Sequence, residues 1–227
     1  MQRSFDFVAG DIARWRAELV PLLCGIDLTT RRKPIGQLVK SLISGRTRDA
    51  VSLAAYHRLG MRFGSASGIA AAEPWAIEAV IADVTFARAK AEWLVAALRQ
   101  IRHGRPDFCL DFLATLSLDT ALAWLEQLPG VGRKVAASTL NASTLGRPVL
   151  IVDSHVLRVL HRLGFVPASA DARAASEAVT SAMPGWRGDD FLMLHFGMKR
   201  LGQRICRFDT PDCGACPLAA DCPSAGD

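Results

Sequence analysis

The chain has no long apolar run, no internal repeat and almost no alternating β-branched segment, and each absence narrows what it can be. No stretch approaches the roughly 18 consecutive apolar residues that a spanning helix needs, so no membrane role is expected. Residues 1–15 interrupt their apolar positions with Arg3, Asp6, Asp11 and Arg14. They hold no signal-peptide core, which predicts a reducing cytoplasm, with association to the nucleoid if the cell is prokaryotic. The scarcity of strand-like alternation leaves helical periodicity as the dominant signal, and the expected fold class is all-α. The one short apolar run, Val149-Leu150-Ile151-Val152, is too brief to separate strand from helix.

What is present points to a globular protein. At 227 residues the chain can bury one large core or two small ones. A net charge of +5 and a pI near 9.1 favour a polyanionic partner if the charge is focused on one face. Helices are expected over 6–23, closed by Gly25, and from Pro34 onward with Leu38, Leu42 and Ile43 inward. Others are expected over 51–59, 74–82 and 86–102, the last burying Trp93, Leu94, Ala97 and Leu98. Residues 60–72 read as a glycine- and alanine-rich loop, and 109–116 as a short helix. Ser117 and Asp119 cap a helix with Ala121, Trp124, Leu125 and Leu128 on one apolar face. Further helices are expected over 135–145, 154–163 with Gly164 at its end, 171–182, and 189–204, the last setting Arg200 and Arg204 one turn apart.

Chemistry gathers at three places. In Leu128-Pro129-Gly130-Val131-Gly132-Arg133-Lys134 the proline and glycines force a tight turn between two helices. The amides of Gly130, Gly132 and Arg133 then stand at a helix start, where a phosphate is readily bound. Lys134 in the first helical turn opposes the macrodipole; it is either a surface cation extending a phosphate patch or an amine held for nucleophilic work. Asp153 opens the helix 154–163, as a plain N-cap or as a carboxylate kept ionised by helix amides and aimed at a reacting centre. His155 and His195 read as packed or hydrogen-bonded histidines. Cys206, Cys213, Cys216 and Cys222 form C-x6-C-x2-C-x5-C in a tail too rich in Gly, Pro and Asp to bury a core. Disulfides suit a reducing compartment poorly, so the four thiols point to Zn²⁺ or an iron–sulfur cluster. Cys24 and Cys109 read as packed thiols.

Taken in order, the glycine hairpin with Lys134, the Val152-Asp153-Ser154-His155-Val156-Leu157-Arg158 stretch and the four-cysteine tail resemble the endonuclease III family across nearly the whole chain. These are helix–hairpin–helix DNA glycosylases with a 4Fe-4S cluster. The resemblance implies that Lys134 attacks C1′ of a flipped-out damaged nucleotide. The Schiff base that follows permits β-elimination of the 3′ phosphate. It implies that Asp153 activates Lys134 and steadies charge on the sugar, and that Cys206, Cys213, Cys216 and Cys222 hold the 4Fe-4S cluster. Relatives that only remove adenine or mismatched thymine lack this lysine, so Lys134 favours the bifunctional branch. At this length the extra C-terminal domain of adenine glycosylases is not expected. Implied with these are oxidised pyrimidines of the thymine-glycol type as substrates and duplex DNA with damaged bases or abasic sites as partner. Gly130, Gly132, Arg133, Arg46, Phe86, His155 and Arg200 are the implied DNA contacts, and the protein is expected as a monomer. The family fold implies a six-helix lobe over 28–146 and a cluster lobe from 1–27 with 147–227, its cluster loop at 206–222. Lys134 and Asp153 would then face each other across the DNA groove.

Three stretches depart from the family pattern. Where the family has Ser-x-Gln-x-x-Asp, its Gln filling the hole left by the flipped base, this chain reads Ser44-Gly45-Arg46-Thr47-Arg48-Asp49. Read alone, that stretch is equally a solvated corner or a phosphate contact. Where the family has Gly-Leu-Tyr-Asn before Lys-Ala, this chain reads Thr85-Phe86-Ala87-Arg88 and keeps Lys90-Ala91. The loop 207–212 carries one basic and two acidic residues where the family places several basic ones. Intact catalytic motifs beside changed wedge positions predict altered lesion preference or efficiency. The rival expectations are a cluster-carrying protein that binds damaged DNA or unusual DNA structure with little glycosylase activity, and a lyase restricted to abasic sites.

Overall fold

The computed structural model describes residues 9–225, and among them eleven α-helices carry nearly all regular structure, with no strand. An isolated bridge between Arg32 and Ser143 is the one ladder-type pair among the described residues. The chain forms two compact units, a continuous one spanning Arg31–Leu145 and another drawn from the chain on either side of it.

The continuous unit contains α2 (Pro34–Ser44), α3 (Asp49–Phe63), α4 (Ala66–Ala71), α5 (Pro74–Val80), α6 (Ala87–Gly104), α7 (Leu118–Glu126) and α8 (Arg133–Asn141). Pro34 and Pro74 open α2 and α5 at positions where a helix has no use for the missing N–H. Leu38, Leu42 and Ile43 are buried, as are Leu94, Ala97 and Leu98. Trp93 is not: it stays 44% exposed, for a reason that lies in the hairpin below. The loop expected over 60–72 is largely helical. α3 runs on to Phe63, Gly64 turns the chain at φ +73°, and Ser65 Oγ accepts from the Gly68 amide at 3.2 Å to start α4. Alanine propensity and burial of Ile69 and Ala70 there outweigh the glycine content. The helix expected over 109–116 is only a 3₁₀ turn, Asp111–Ala114, and Cys109 is exposed rather than packed.

In the other unit α1 (Ala9–Glu18) is followed by a 3₁₀ turn, Val20–Leu23. Residues 6–8 of the expected first helix lie outside the described residues. The helix stops at Glu18 because Pro21 has no N–H to continue it. Cys24 is exposed, again not a packed thiol. α9 (Ser154–Arg162), α10 (Ala172–Ala182) and α11 (Gly188–Arg204) complete the unit around Trp15, Leu19, Val156, Leu160, Phe191 and Met198. Gly164, at φ +71°, ends α9; the Phe165 amide reaches back to the Leu160 carbonyl and the Gly164 amide to that of His161, both at 3.0 Å. The run Val149 to Val152 is fully buried yet pairs with no strand. Side chains satisfy its backbone instead: Thr180 Oγ1 accepts from the Leu150 amide (3.1 Å), Ser176 Oγ donates to the Leu150 carbonyl (2.7 Å), and His195 Nδ1 donates to the Ile151 carbonyl (2.8 Å).

α11 begins where no side chain fits. A Cβ on Gly188 would lie 2.0 Å from the Gly146 carbonyl oxygen, and that backbone cannot yield as a side chain can. Gly188→Ala is expected to destabilise the protein by about 2–3 kcal/mol, read as a lowered urea midpoint at unchanged slope.

Candidate functional site

The hairpin is built by one close approach. Gly130 sits at φ +72°, and a Cβ there would meet Trp93 Cβ at 2.6 Å and Cγ at 2.7 Å. Trp93 is therefore half exposed because its side chain lies against the hairpin instead of in the core. The Val131 amide donates to the Leu128 carbonyl at 3.1 Å, and both side chains are buried. Gly132 is the N-cap of α8, its carbonyl accepting from the Val135 (2.9 Å) and Ala136 (3.0 Å) amides. Helix α8 starts at Arg133 and ends at Asn141, earlier at both ends than expected. The amides of Gly130 and Gly132 donate to no group among the described residues. Arg133 is placed differently from a surface cation: its Nε meets Glu126 Oε1 at 2.6 Å in a nearly buried pair that ties α8 to α7. Its side chain clamps the hairpin, and only its backbone belongs to the amide set.

Lys134, half-buried in the first turn of α8, donates from Nζ to Ser44 Oγ at 2.7 Å, and Ser44 Oγ donates to the Ser41 carbonyl at 2.8 Å. In the sequence Ser44 stands only as the first residue of the stretch 44–49, with no role of its own. Lys90, in the sequence only half of the retained Lys-Ala pair, is buried and donates to the Ile43 carbonyl (3.0 Å), the Gly45 carbonyl (2.5 Å) and Thr47 Oγ1 (3.1 Å). Burial pushes its amine down to about 8. The turn it holds carries Arg46, at φ +54°, and the Thr85 amide donates to Thr47 Oγ1 at 3.2 Å. Phe86, at φ +60° and 58% exposed, lies with its ring centroid 5.9 Å from the Arg46 guanidinium. Two exposed non-glycine residues in the left-handed region, stacked on each other, are the strained geometry that functional surfaces retain. A cavity of about 390 Å³ lies between α2, α3 and α4 and is lined by none of these residues.

In the flanking unit Asp153 is the N-cap of α9, its Oδ1 accepting from the His155 (2.9 Å) and Val156 (3.0 Å) amides. Burial pushes its carboxyl up, but His195, the Val156 amide, Lys199 and His155 together outweigh burial and hold it below the ordinary carboxylate value. It is both an N-cap and an ionised carboxylate. His155 Nδ1 accepts from Arg158 Nη2 at 3.2 Å, so the other ring nitrogen carries the proton of the neutral form. Arg200 is half-buried on α11, one turn before the exposed Arg204.

Cys206, Cys213, Cys216 and Cys222 line one cavity of about 40 Å³. Arg162 Nη1 donates to Cys206 Sγ at 3.3 Å. Burial, reinforced by the neighbouring thiols, pushes the Cys216 and Cys222 thiols up. Among the described residues no three His, Cys, Asp or Glu side chains converge on one ion-sized point. Four thiols around one cavity are a donor set that suits either Zn²⁺ or an iron–sulfur cluster.

Comparison with known proteins decides the family. The HhH-GPD superfamily of base excision DNA repair proteins matches residues 39–184. Endonuclease III of Thermotoga maritima is 31% identical over 193 residues, 83% of this chain and 82% of the relative. The chain belongs to the endonuclease III family. The chloroplastic endonuclease III homolog 1 of Arabidopsis thaliana is 29% identical over 207 residues; the match covers 88% of this chain and about half, 52%, of that longer protein. A solved endonuclease III trapped as a covalent intermediate with DNA superimposes at a TM-score of 0.78, with 22% identity, over 96% of this chain and 97% of that one. A thermostable thymine-DNA glycosylase does so at 0.75 and 17% identity, over 95% and 97%. The fold is shared with both. No helix among the described residues is long and apolar enough to cross a membrane.

Two outcomes test this geometry. Gly130→Ala is expected to cost about 1–3 kcal/mol through the left-handed backbone and the contact with Trp93, seen as a lowered Tm. Asp153→Asn keeps an oxygen for the two amides but removes the charge. Because the native carboxyl is held low, its contribution is present above the unfolded carboxylate value and lost as pH falls through the native one. Denaturation between pH 7 and pH 3 should therefore show a smaller acid loss of stability for the variant than for the wild type.

Proposed function

We propose that this member of the endonuclease III family is a bifunctional DNA glycosylase and abasic-site lyase acting on duplex DNA, with oxidised pyrimidines of the thymine-glycol type as substrates. The observation that carries the reading is Lys134, a primary amine in the first turn of α8 directly after two glycine amides with no partner among the described residues. In its neutral form the Nζ lone pair bonds to C1′ of the extruded nucleotide while the bond from C1′ to the base breaks. The base leaves with that electron pair and a proton. The sugar ring then opens, O4′ taking up a proton, to leave a protonated imine between Nζ and C1′. Loss of a C2′ proton expels the 3′ phosphate. Asp153, ionised in the fold, is the carboxylate assigned to accept or relay the amine proton and to offset charge on the sugar.

The remaining residues bind. Gly130 and Gly132 present amides to a phosphate, and His155 and Arg200 are assigned to backbone contacts. Arg46 and Phe86 are assigned to the space the extruded nucleotide leaves, the ring stacking on bases and the guanidinium donating to them. An aromatic ring and a cation at these positions support a lesion preference of this chain's own. Cys206, Cys213, Cys216 and Cys222 are assigned to a 4Fe-4S cluster. That cluster would cross-link a tail without a core and supply a redox-active centre. The protein is proposed to act as a monomer.

Borohydride added to protein and abasic-site duplex tests the lysine. A covalent adduct is expected from the wild type and none, a loss of at least about 100-fold, from Lys134→Gln. Binding without any wild-type adduct would refute the reading in favour of a damage-binding protein. Nicking of abasic but not thymine-glycol duplexes would restrict the activity to the lyase step. For the cluster, the purified protein is expected to be brown, and Cys206→Ser to lose visible absorption and iron together.

A further inference from the structure

The serine that holds Lys134 is itself held. Ser44 closes α2, and the carbonyls of its two neighbours, Ile43 and Gly45, both accept from the ammonium of Lys90, whose third proton goes to Thr47 Oγ1. A lysine has three donors and all three are used on this one turn, so a residue of α6 fixes the end of α2. A cation over the last carbonyls of a helix is favourable in itself.

One helical turn deeper the two helices are registered by a second device. Gln37 Nε2 donates to Ser41 Oγ (3.1 Å) and to Ser138 Oγ (3.0 Å), and the two serine hydroxyls meet at 2.9 Å, all buried. Ser41 lies three residues before Ser44, and Ser138 four after Lys134. An apolar pair would pack α2 on α8 with tolerance for sliding; a satisfied polar triangle in the core accepts one register. The Lys134–Ser44 bond is the outermost rung of that ladder.

The direction of each hydrogen bond limits what Ser44 can do. Its single proton is given to the Ser41 carbonyl, so toward Lys134 it can only accept. It therefore takes one N–H of the amine and has no proton of its own to give to the lone pair of the neutral form. We propose that Ser44 is a positioning residue for the Lys134 amine, fixing rotation about its Cε–Nζ bond, and that Lys90 holds Ser44 in place. The inference rests on Lys134 as nucleophile. It adds a requirement that nucleophilicity alone does not impose, that the amine be aimed before DNA arrives.

The test is single-turnover borohydride trapping on abasic-site duplex at saturating protein, with DNA affinity measured separately on the same full-length proteins. Ser44→Ala is expected to slow trapping about 10- to 100-fold while the Kd for DNA moves less than about twofold. Ser44→Thr, which keeps the accepting oxygen, is expected to recover most of the rate. Lys90→Met is expected to slow trapping to a similar degree, with little further loss when combined with Ser44→Ala, since both act through one turn. Wild-type trapping with Ser44→Ala at an unchanged rate would remove the positioning role and leave the nucleophile standing. Loss of rate and DNA affinity together, unrescued by Ser44→Thr, would also overturn it by making Ser44 merely structural. Absence of trapping by the wild type would instead remove the nucleophile, and this inference with it.

Discussion

The candidate site depends on the absence of one side chain. Gly130 lets the hairpin backbone lie against Trp93, and no residue with a Cβ could do so without moving an indole or the backbone. That contact sets where α7 ends and where α8 begins, and so where Lys134 stands. The buried Arg133–Glu126 pair then fixes the two helices to each other across the turn. A salt bridge so enclosed adds little net stability, but breaking one partner leaves a charge in a poor environment, so it resists alternative arrangements.

The tail meets the opposite difficulty, since it lacks the apolar residues to hold itself. Leu218 is its one large side chain fully buried in the core. Two arginines of α9 compensate with their donors. Arg158 reaches the carbonyls of Gly202 (2.8 Å) and Cys206 (3.1 Å), and Arg162 those of Arg207 (2.6 Å) and Phe208 (2.9 Å). The helix that Asp153 caps is thus also the helix that shapes the cysteine loop. Its start holds a carboxylate and its body the cysteine loop, on one rigid element. Gly202 lets α11 approach α9 closely at His155, where a Cβ would come within 2.9 Å of another.

At Arg46 and Phe86 the fold tolerates strain and exposes it. Each left-handed non-glycine residue costs on the order of 1 kcal/mol, and neither is buried enough to recover that by packing. The Lys90 clamp and the Thr85–Thr47 bond hold the backbone of both turns, which lets the side chains remain outside. Packing in the core does not account for such an arrangement, since both side chains stand at the surface.

Helical periodicity, proline and glycine punctuation, and the spacing of four cysteines made the fold class, most helices and the cysteine set legible in the sequence alone. Local signals sufficed there because caps, prolines and thiols act over a few residues. The loop expected over 60–72 and the inward Trp93 failed for a shared reason: composition cannot say which neighbour an alanine-rich segment or an indole will meet. The contacts of Ser44 and Lys90 were not legible for the same cause, their partners lying 90 and up to 47 residues away. The sequence by itself determined which groups could do chemistry, an amine after a glycine turn, a carboxylate at a helix start, four thiols in a coreless tail. Only the tertiary structure decided which donors and acceptors hold those groups, because a hydrogen bond between distant residues is set by helix packing and not by local preference.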